Sequence, residues 1–449
     1  MDNIVRFLNF NDPDLVSDPP RIEDGRRVVT LRRRPAPRYC TACGSRMHSR
    51  GVYRRRINHP IMQDGLQLVL ELEQRRWKCT NAECGLVVND EFGFVRRYQH
   101  NSDEADRLIA EAFRDPSMTA VRIAERFSVS DTYALKVFSE HVRMERGAFT
   151  EAICIDEVRI DVRGCKYALV ILDFATGEPI DMISNRRSEF TEAYFSSVPA
   201  AERAKVKYII SDLYKPYTAF ASRYFPNAIS VIDSFHVVKF INDKINVYIS
   251  TLAKNIRRQD EAAHRERDAL LGRRTRFVPS REYYLLRNFK WVILSNRANL
   301  NYSAPARFDR RLGRYVTLRD IEDLLFAIDP ALSGMRDLKE KYIQFNDSHI
   351  NDTASAGEAL ASLIAEYRAS EYPAFREIAD MLEEYSIAIV NSFVTLGRIC
   401  PDGVRESRLS NGPAESLNRI VKDLKRNARG YRNFEHLRNR FLYARRPPK

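Results

Sequence analysis

The chain has 449 residues and a mass of 52.1 kDa, long enough for about three domains. Its formal charge of +13 and pI of about 9.4 favour a polyanionic partner, of which nucleic acid is the commonest. The opening Met1-Asp2-Asn3-Ile4-Val5-Arg6 lacks the basic and then apolar order of a signal peptide, and no apolar run approaches the ~18 residues of a membrane span, so a cytoplasmic protein is expected.

Seven cysteines, four of them in two close pairs, suit a reducing compartment and a metal site better than a disulfide framework. The pairs are Cys40-Thr-Ala-Cys43 and Cys79-Thr-Asn-Ala-Glu-Cys84, two knuckles that together complete a tetrahedral zinc shell of a closed, structural kind. His48 and His59 stand close enough in sequence to replace one sulfur, and four unconnected thiols are the plain alternative. Arg32-Arg33-Arg34, Arg54-Arg55-Arg56 and Arg75-Arg76-Trp77-Lys78 surround the pairs, so residues 1–97 read as a zinc-binding, DNA-binding domain with a cationic surface. A solvated basic face is the bland alternative.

From residue 98 to 148 the pattern is helical. Ser102 and Asp103 can cap a first helix, with Ala105, Leu108, Ile109, Ala112 and Phe113 at helical spacing. Then Ile123, Ala124, Phe127, Val129, Ala134 and Val137 fall where a helix-turn-helix buries its contacts, with Ser128-Val129-Ser130 as the turn. The helix from Asp131 would offer Thr132, Tyr133 and Lys136 to a DNA groove. An ordinary helical hairpin has the same spacing, and Ser128 stands where such turns often have glycine.

Residues 149–236 read as strands Ala152 to Asp156, Tyr167 to Asp173 and Pro179 to Ile183, a helix Glu189 to Val198, a strand Val206 to Asp212, a helix Tyr214 to Tyr224, a strand Ala228 to Asp233, and a long helix through His236. Near-continuous apolar runs such as Tyr167-Ala-Leu-Val-Ile-Leu172 indicate strands buried on both faces. This is the order of the α/β ribonuclease H-like fold, in which the first and fourth strands are neighbours and Asp156 and Asp212 would meet. Residues 237–400 are charged and helical and are expected to form an all-helical insertion; Trp291 in Lys290-Trp-Val-Ile-Leu294 reads as helix core in preference to a base-stacking residue.

Residues 401–449 return to the catalytic domain with a basic tail. Glu415 lies in Asn411-Gly412-Pro413-Ala414-Glu415, opening a helix. At about 100° per residue, Asn418, Arg419, Lys422, Arg426 and Arg429 share its face, and Leu417, Ile420, Val421 and Leu424 take the other. Such a helix can pack one side on a sheet and turn Asn418, Lys422 and Arg426 to DNA phosphates. A charged, solvent-facing stripe is the alternative. Two carboxylates at strand ends and a third opening a helix are what a two-metal phosphoryl-transfer site needs.

Taken together, Ile155-Asp156-Glu157, Ser211-Asp212 with Tyr217, Phe225-Pro-Asn-Ala228, Asp233-Ser-Phe-His-Val237 and Asn411-Gly-Pro-Ala-Glu-Ser-Leu-Asn418, leading to Lys422, Lys425-Arg426 and Gly430, resemble a bacterial insertion-sequence transposase of the ISL3 family within the DDE superfamily. The four cysteines are similar to that family's N-terminal zinc-binding domain. Departures are Arg159, Asp161 and Ser416, none of them among the three acids.

The resemblance implies a nucleoid-associated DNA transposase that binds terminal inverted repeats, cleaves with magnesium (two ions, with manganese able to substitute) and transfers strands to target double-stranded DNA. It would work as a homodimer or larger assembly. Asp156 would bridge both ions, and Asp212 and Glu415 would each complete one site. Water would attack first and the liberated 3′-hydroxyl would then attack target DNA. Asp233 and His236 would support this site or take part directly, whereas Glu157 reads as a salt-bridging acid and Asp173 as a strand-end residue. A transposase-derived, sequence-specific DNA-binding regulator without strand transfer is the alternative from another class.

Overall fold

The computed structural model describes residues 2–63, 66–213 and 222–446, the side chains of 61–63 set aside. Contacts divide the chain into two compact units, Met1–Glu145 with Ile420–Lys449, and Arg146–Arg419.

In the first unit a short helix, Asn3–Phe7, precedes seven strands among the described residues: β1 Leu15–Ser17, β2 Arg21–Glu23, β3 Arg26–Arg33, β4 Arg38–Tyr39, β5 Arg46–Gln63, β6 Leu66–Cys79 and β7 Val87–Asn89. They form one sheet in the order β1-β3-β6-β5-β4, with β2 on β3 and β7 on β6. Leu31 of β3, Ile57 of β5 and Leu70 and Leu72 of β6 are buried together with Val5, Leu15 and Phe92, each fully buried side chain contributing about 1.5–3 kcal/mol. The β5–β6 register shifts between Ser49 and Val52, where Gly51 takes a φ of 121° that side-chain-bearing residues avoid.

Three helices follow, Asp103–Ala112, Ala120–Phe127 and Asp131–His141, capped in turn by the hydroxyls of Ser102, Thr119 and Ser130. The last two are joined by Ser128-Val129-Ser130, and Ser128 sits at φ 52°. That left-handed conformation is the reason glycine is favoured there, and serine bears a cost of about 1–2 kcal/mol. Ile109, Phe113, Ile123, Ala134, Val137 and Phe138 form their shared core. The C-terminal helix Phe434–Arg445 packs on the same bundle: Arg440 donates to the carbonyls of Asp115 and Met118, both at 2.8 Å, and the Arg114 guanidinium lies 4.1 Å from the Tyr443 ring centroid. The segment read as a basic tail of the catalytic part therefore packs with the N-terminal helices.

The second unit is built on β8 Ala152–Val162, β9 Cys165–Asp173, β10 Pro179–Ile183, β11 Tyr208–Ser211 and β12 Ile229–Ile232. Their order is β10-β9-β8-β11-β12, with β9 antiparallel to β8 and β10, and β11 parallel to both β8 and β12. Ile153, Ile155, Leu169, Ile171 and Ile209 bury one face against Phe195 of the helix Ser188–Ser197 and against Phe225. Most of the helix expected over Tyr214 to Tyr224, with Tyr217, lies outside the described residues. Asp233 caps a 38-residue helix, Ser234–Leu271, whose Ile241, Ile245 and Ile249 enter a separate helical core with Leu325, Leu332, Tyr342 and Phe375.

Three findings differ from the sequence reading. β8 runs on past Asp156 to Val162, because Val158, Ile160 and Val162 are buried while Arg159 and Asp161 point to solvent, so Asp156 sits within its strand. The stretch read as all-helical, 237–400, carries the antiparallel hairpin β13 Arg307–Asp309 with β14 Arg314–Val316 and the strand β15 Thr395–Cys400, which pairs with β16 Gly403–Arg408 just beyond it. Trp291, read as core, is 47% exposed, while Val292 and Ile293 beside it are buried.

Candidate active site

Parallel pairing brings the approaches to two of the acids together. Tyr208 lies opposite Ala152, Ile209 opposite Ile153 and Ile210 opposite Cys154, and Asp212 and Asp156 each lie two residues beyond the last pair, near enough for the Asp212 charge to act on the Asp156 carboxyl. Adjacent strands run about 4.8 Å apart, which is within reach of shared or neighbouring ions. Asp212 follows the last residue of β11 directly.

Glu415 comes from the first turn of the helix Gly412–Asn427, its backbone N–H donating to the Asn411 carbonyl at 3.2 Å. This helix is tied to β8 by Asn418, whose Nδ2 donates to Asp156 Oδ2 at 2.8 Å and to the Glu157 carbonyl at 3.2 Å. Glu415 and Asn418 are three residues apart and so share a helical face. Ala414, Leu417, Val421 and Leu424 are buried along the helix, and Asn418 joins them at 4% exposure. Asn418 was expected on DNA phosphates; its burial and its bond to Asp156 give it a different place.

Electrostatics distinguish the acids. Burial pushes the Asp156 carboxyl up to about 7, and the negative charges of Asp212, Glu415 and Glu157 push the same way against the Glu157 backbone N–H. Asp212 is also raised, first by burial, with His236 opposing. Asp212 Oδ1, His236 Nε2, Asn418 Oδ1 and both polar side-chain atoms of Asn411 are buried without a hydrogen-bond partner among the described residues. Each such group costs about 1–3 kcal/mol unless a ligand or water satisfies it. Clustered carboxylates whose charged forms are disfavoured by burial and by one another, with an unpartnered buried oxygen, fit a site that a hard divalent cation would neutralise.

The neighbouring acids are engaged elsewhere. Glu157 pairs with Arg186 at 2.5 Å. Asp173 accepts from Thr150 Oγ1 at 2.6 Å and from the backbone N–H and hydroxyl of Thr176. Asp233 accepts from the Phe235 backbone N–H, and His236 stands one turn into the helix that Asp233 caps.

The cysteines converge more tightly. Among the described residues, Cys40, Cys43, Cys79 and Cys84 form the group whose ligand atoms all lie within 4.8 Å of one another, and the three acids are spread wider than that. Sulfur separations are 3.7 Å for Cys40–Cys84 and 3.4 Å for Cys43–Cys79. Four thiolates around one ion at about 2.3 Å stand about 3.8 Å apart, so the cluster has the size of a tetrahedral metal site. A hydrogen bond from the Ser45 hydroxyl lowers Cys43 to about 6, whereas burial raises Cys79 to about 12. Neither histidine is needed: His59 is buried against Ser102 Oγ at 2.9 Å, and burial lowers it to about 4, while His48 pairs across the sheet with Lys78.

The expected DNA-contacting residues divide into two sets. Arg54 pairs with Glu73 at 2.8 Å, Arg56 with Glu23 at 2.6 Å and with the buried Glu71 at 3.0 Å, and Arg55 donates to the Arg96 carbonyl. Tyr133, expected in a groove, instead donates its hydroxyl to Asp106 at 2.8 Å and belongs to the helical packing. Arg76, Thr132, Lys136, Lys422 and Arg426 are exposed, Arg75 is half-buried, and Arg426 pairs with Asp423. No helix of the described residues is long and apolar enough to cross a membrane.

Two comparisons bear on this arrangement. A family profile described as "Transposase", that of the ISL3 type of DDE transposases, matches residues 153–441, from β8 to the C-terminal helix. The chain belongs to that family. It is also 24% identical over 434 residues to "Transposase for insertion sequence element IS1001" of Bordetella parapertussis, covering 92% of this chain and 91% of the relative.

Proposed function

We propose that the protein binds the terminal inverted repeats of its own insertion sequence, cleaves the ends and joins them to target DNA, with Asp156, Asp212 and Glu415 as the catalytic acids. The observation that carries this reading is the parallel β8–β11 register, which ends two residues short of Asp156 and of Asp212 alike, together with Asn418, which ties the Glu415 helix to Asp156. The strand order, antiparallel on one side of β8 and parallel on the other, supports a ribonuclease H-like catalytic core.

Asp156, Asp212 and Glu415 would hold two divalent cations, magnesium by the hardness of the oxygen ligands. Bound there, such ions supply charge stabilisation at the attacking and leaving oxygens and make water a nucleophile near neutral pH. Asn418 keeps the Asp156 carboxylate turned to the site. His236, half-buried with its Nε2 enclosed and without a partner among the described residues, could hold a water or a phosphate oxygen beside Asp212. Zinc in the four-cysteine cluster would fix the two turns at one end of the N-terminal sheet. That module and the helix pair joined at Ser128 to Ser130 would recognise the ends, with Arg76, Thr132 and Lys136 exposed for phosphates or bases. Two DNA ends call for at least two protomers.

Incubating the protein with duplexes carrying its own element's ends, Mg²⁺ and a target plasmid, then mapping the product junctions, tests the reading. Nicks at the element boundary and covalent joints to target are expected. Tight, sequence-specific binding with no nick under Mg²⁺ or Mn²⁺ would favour a DNA-binding regulator instead.

A further inference from the structure

The β13–β14 hairpin is two-faced in an unusual sense. Its inner side is fixed to the helical core: Leu312 and Val316 are buried there, and Tyr284 donates its hydroxyl to Asp309 at 2.7 Å. Strand alternation then turns Phe308 and Tyr315 outward. They are cross-strand partners with ring centroids 5.3 Å apart, and they stand 54% and 70% exposed. A solvent-facing side of an antiparallel hairpin ordinarily carries polar residues, so two bare rings there need a reason.

Charge supplies a second, independent observation. Arg307, Arg310 and Arg314 of the same hairpin are exposed, Arg310 in the turn and Arg307 and Arg314 alternating with the rings along the strands, and none has an ion pair within 4 Å among the described residues, although the charge of Arg314 acts on Asp320. The segment's own acids are used locally, Asp309 by the turn N–H groups of Arg311 and Leu312 and Asp320 by the Thr317 cap. The guanidinium of Arg311 donates to the Pro279 carbonyl, which attaches the hairpin to the loop after the long helix. That loop, pinned through Thr275 to Asp268 and through Ser280 to Asp260, adds exposed Arg273, Arg274 and Arg276. An exposed ring pair on an anchored hairpin whose turn, strands and neighbouring loop carry exposed arginines combines the stacking platform and the phosphate-holding charge that unpaired nucleic acid requires.

We infer that this hairpin binds single-stranded DNA, with bases stacked on Phe308 and Tyr315 and phosphates held by the surrounding arginines. In the proposed reaction such DNA would arise where strands separate at a cleaved end, and only this assignment of the DNA's origin rests on the proposed function. Cross-strand ring pairs also stabilise hairpins, so the test must separate fold from binding.

The full-length protein is titrated, by fluorescence anisotropy, with a labelled mixed-sequence 20-nucleotide single strand and with the same sequence as a duplex. The double variant Phe308→Leu, Tyr315→Leu keeps apolar bulk but cannot stack; it is expected to lose about 5- to 100-fold in single-strand affinity and less than about 2-fold for duplex. The ring-preserving pair Phe308→Tyr, Tyr315→Phe should bind as wild type, and all variants should keep the wild-type unfolding temperature. Replacing Arg307, Arg310 and Arg314 by Ala should lower the slope of log affinity against log salt by about 2 for the single strand, at ~0.7 per charge. Unchanged single-strand binding in the leucine pair overturns the inference. So does an equal loss on both probes, which would make the patch a duplex-backbone contact. Because these titrations need no cleavage, a wild-type protein that fails to cut element ends counts against the transposition chemistry alone.

Discussion

Replacing Asp156 by Asn should stabilise the metal-free protein at neutral pH and abolish cleavage, two opposite effects of one removed charge. The carboxyl is raised from 3.8 to about 7, chiefly by burial and then by Asp212, Glu415 and Glu157. The folded-state value lies above the unfolded one, so the fold favours the protonated form. The stability it confers is full below about pH 4, is lost as pH rises toward 7, and stays lost above that. About three pK units correspond to ~4 kcal/mol; discounting for partial solvation and for one hydrogen bond rearranged by the amide leaves about 1–3 kcal/mol. For a unit of this size that is about 2–8 °C in unfolding temperature. Differential scanning fluorimetry in magnesium-free buffer without chelator should therefore show Asp156→Asn above wild type at pH 8 and the two converging near pH 4 to 5, with added Mg²⁺ raising wild type and leaving the variant unmoved. A variant no more stable than wild type at pH 8, or a gap that persists unchanged at pH 4.5, refutes the reasoning.

Freshly purified protein should contain one zinc per chain, and Cys40→Ser or chelation should unfold the N-terminal module, since structural zinc supplies on the order of 10 kcal/mol of folding free energy; metal analysis without stoichiometric zinc would count against it. Asn418→Ala should slow cleavage about 10- to 100-fold, the usual loss when a ligand-orienting partner is removed, with binding to terminal DNA intact; weakened binding with normal cleavage would return Asn418 to a DNA contact. On paired ends the assembly should hold at least two protomers. Mixing a DNA-binding-deficient chain with an Asp212→Asn chain should restore some cleavage, and a complex of one protomer with one end throughout would exclude cutting in trans.

The strands of the second unit were legible because runs such as Tyr167 to Leu172 are apolar without interruption, the mark of a strand covered on both faces. The far half of β8 was not. Arg159 and Asp161 interrupt it, and only the burial of Val158, Ile160 and Val162 reveals the half-covered alternation. The cysteine cluster followed from spacing alone, since two knuckles can share one ion wherever the sheet brings them together. Helical periodicity placed Glu415 correctly in a first turn but could not show that Asn418 faces Asp156, because a buried polar residue is explained only by its partner. Nor could it show that the Tyr133 hydroxyl is taken by Asp106, which lies on another helix. The β13–β14 hairpin carries two three-residue strands around Gly313 at φ 69°, too short for periodicity to register against the helices on either side.

The central claim is that three acids from two strands and a helix act as one metal-binding set. Purified Asp156→Asn, Asp212→Asn and Glu415→Gln proteins, each compared with wild type for binding and for Mg²⁺-dependent nicking of the same terminal-repeat duplex, test it directly. The account expects each variant to bind as wild type and to nick at least about 100-fold more slowly, the loss typical when one electrostatic contact to a transition state is removed. Wild-type nicking by any one of the three would contradict it.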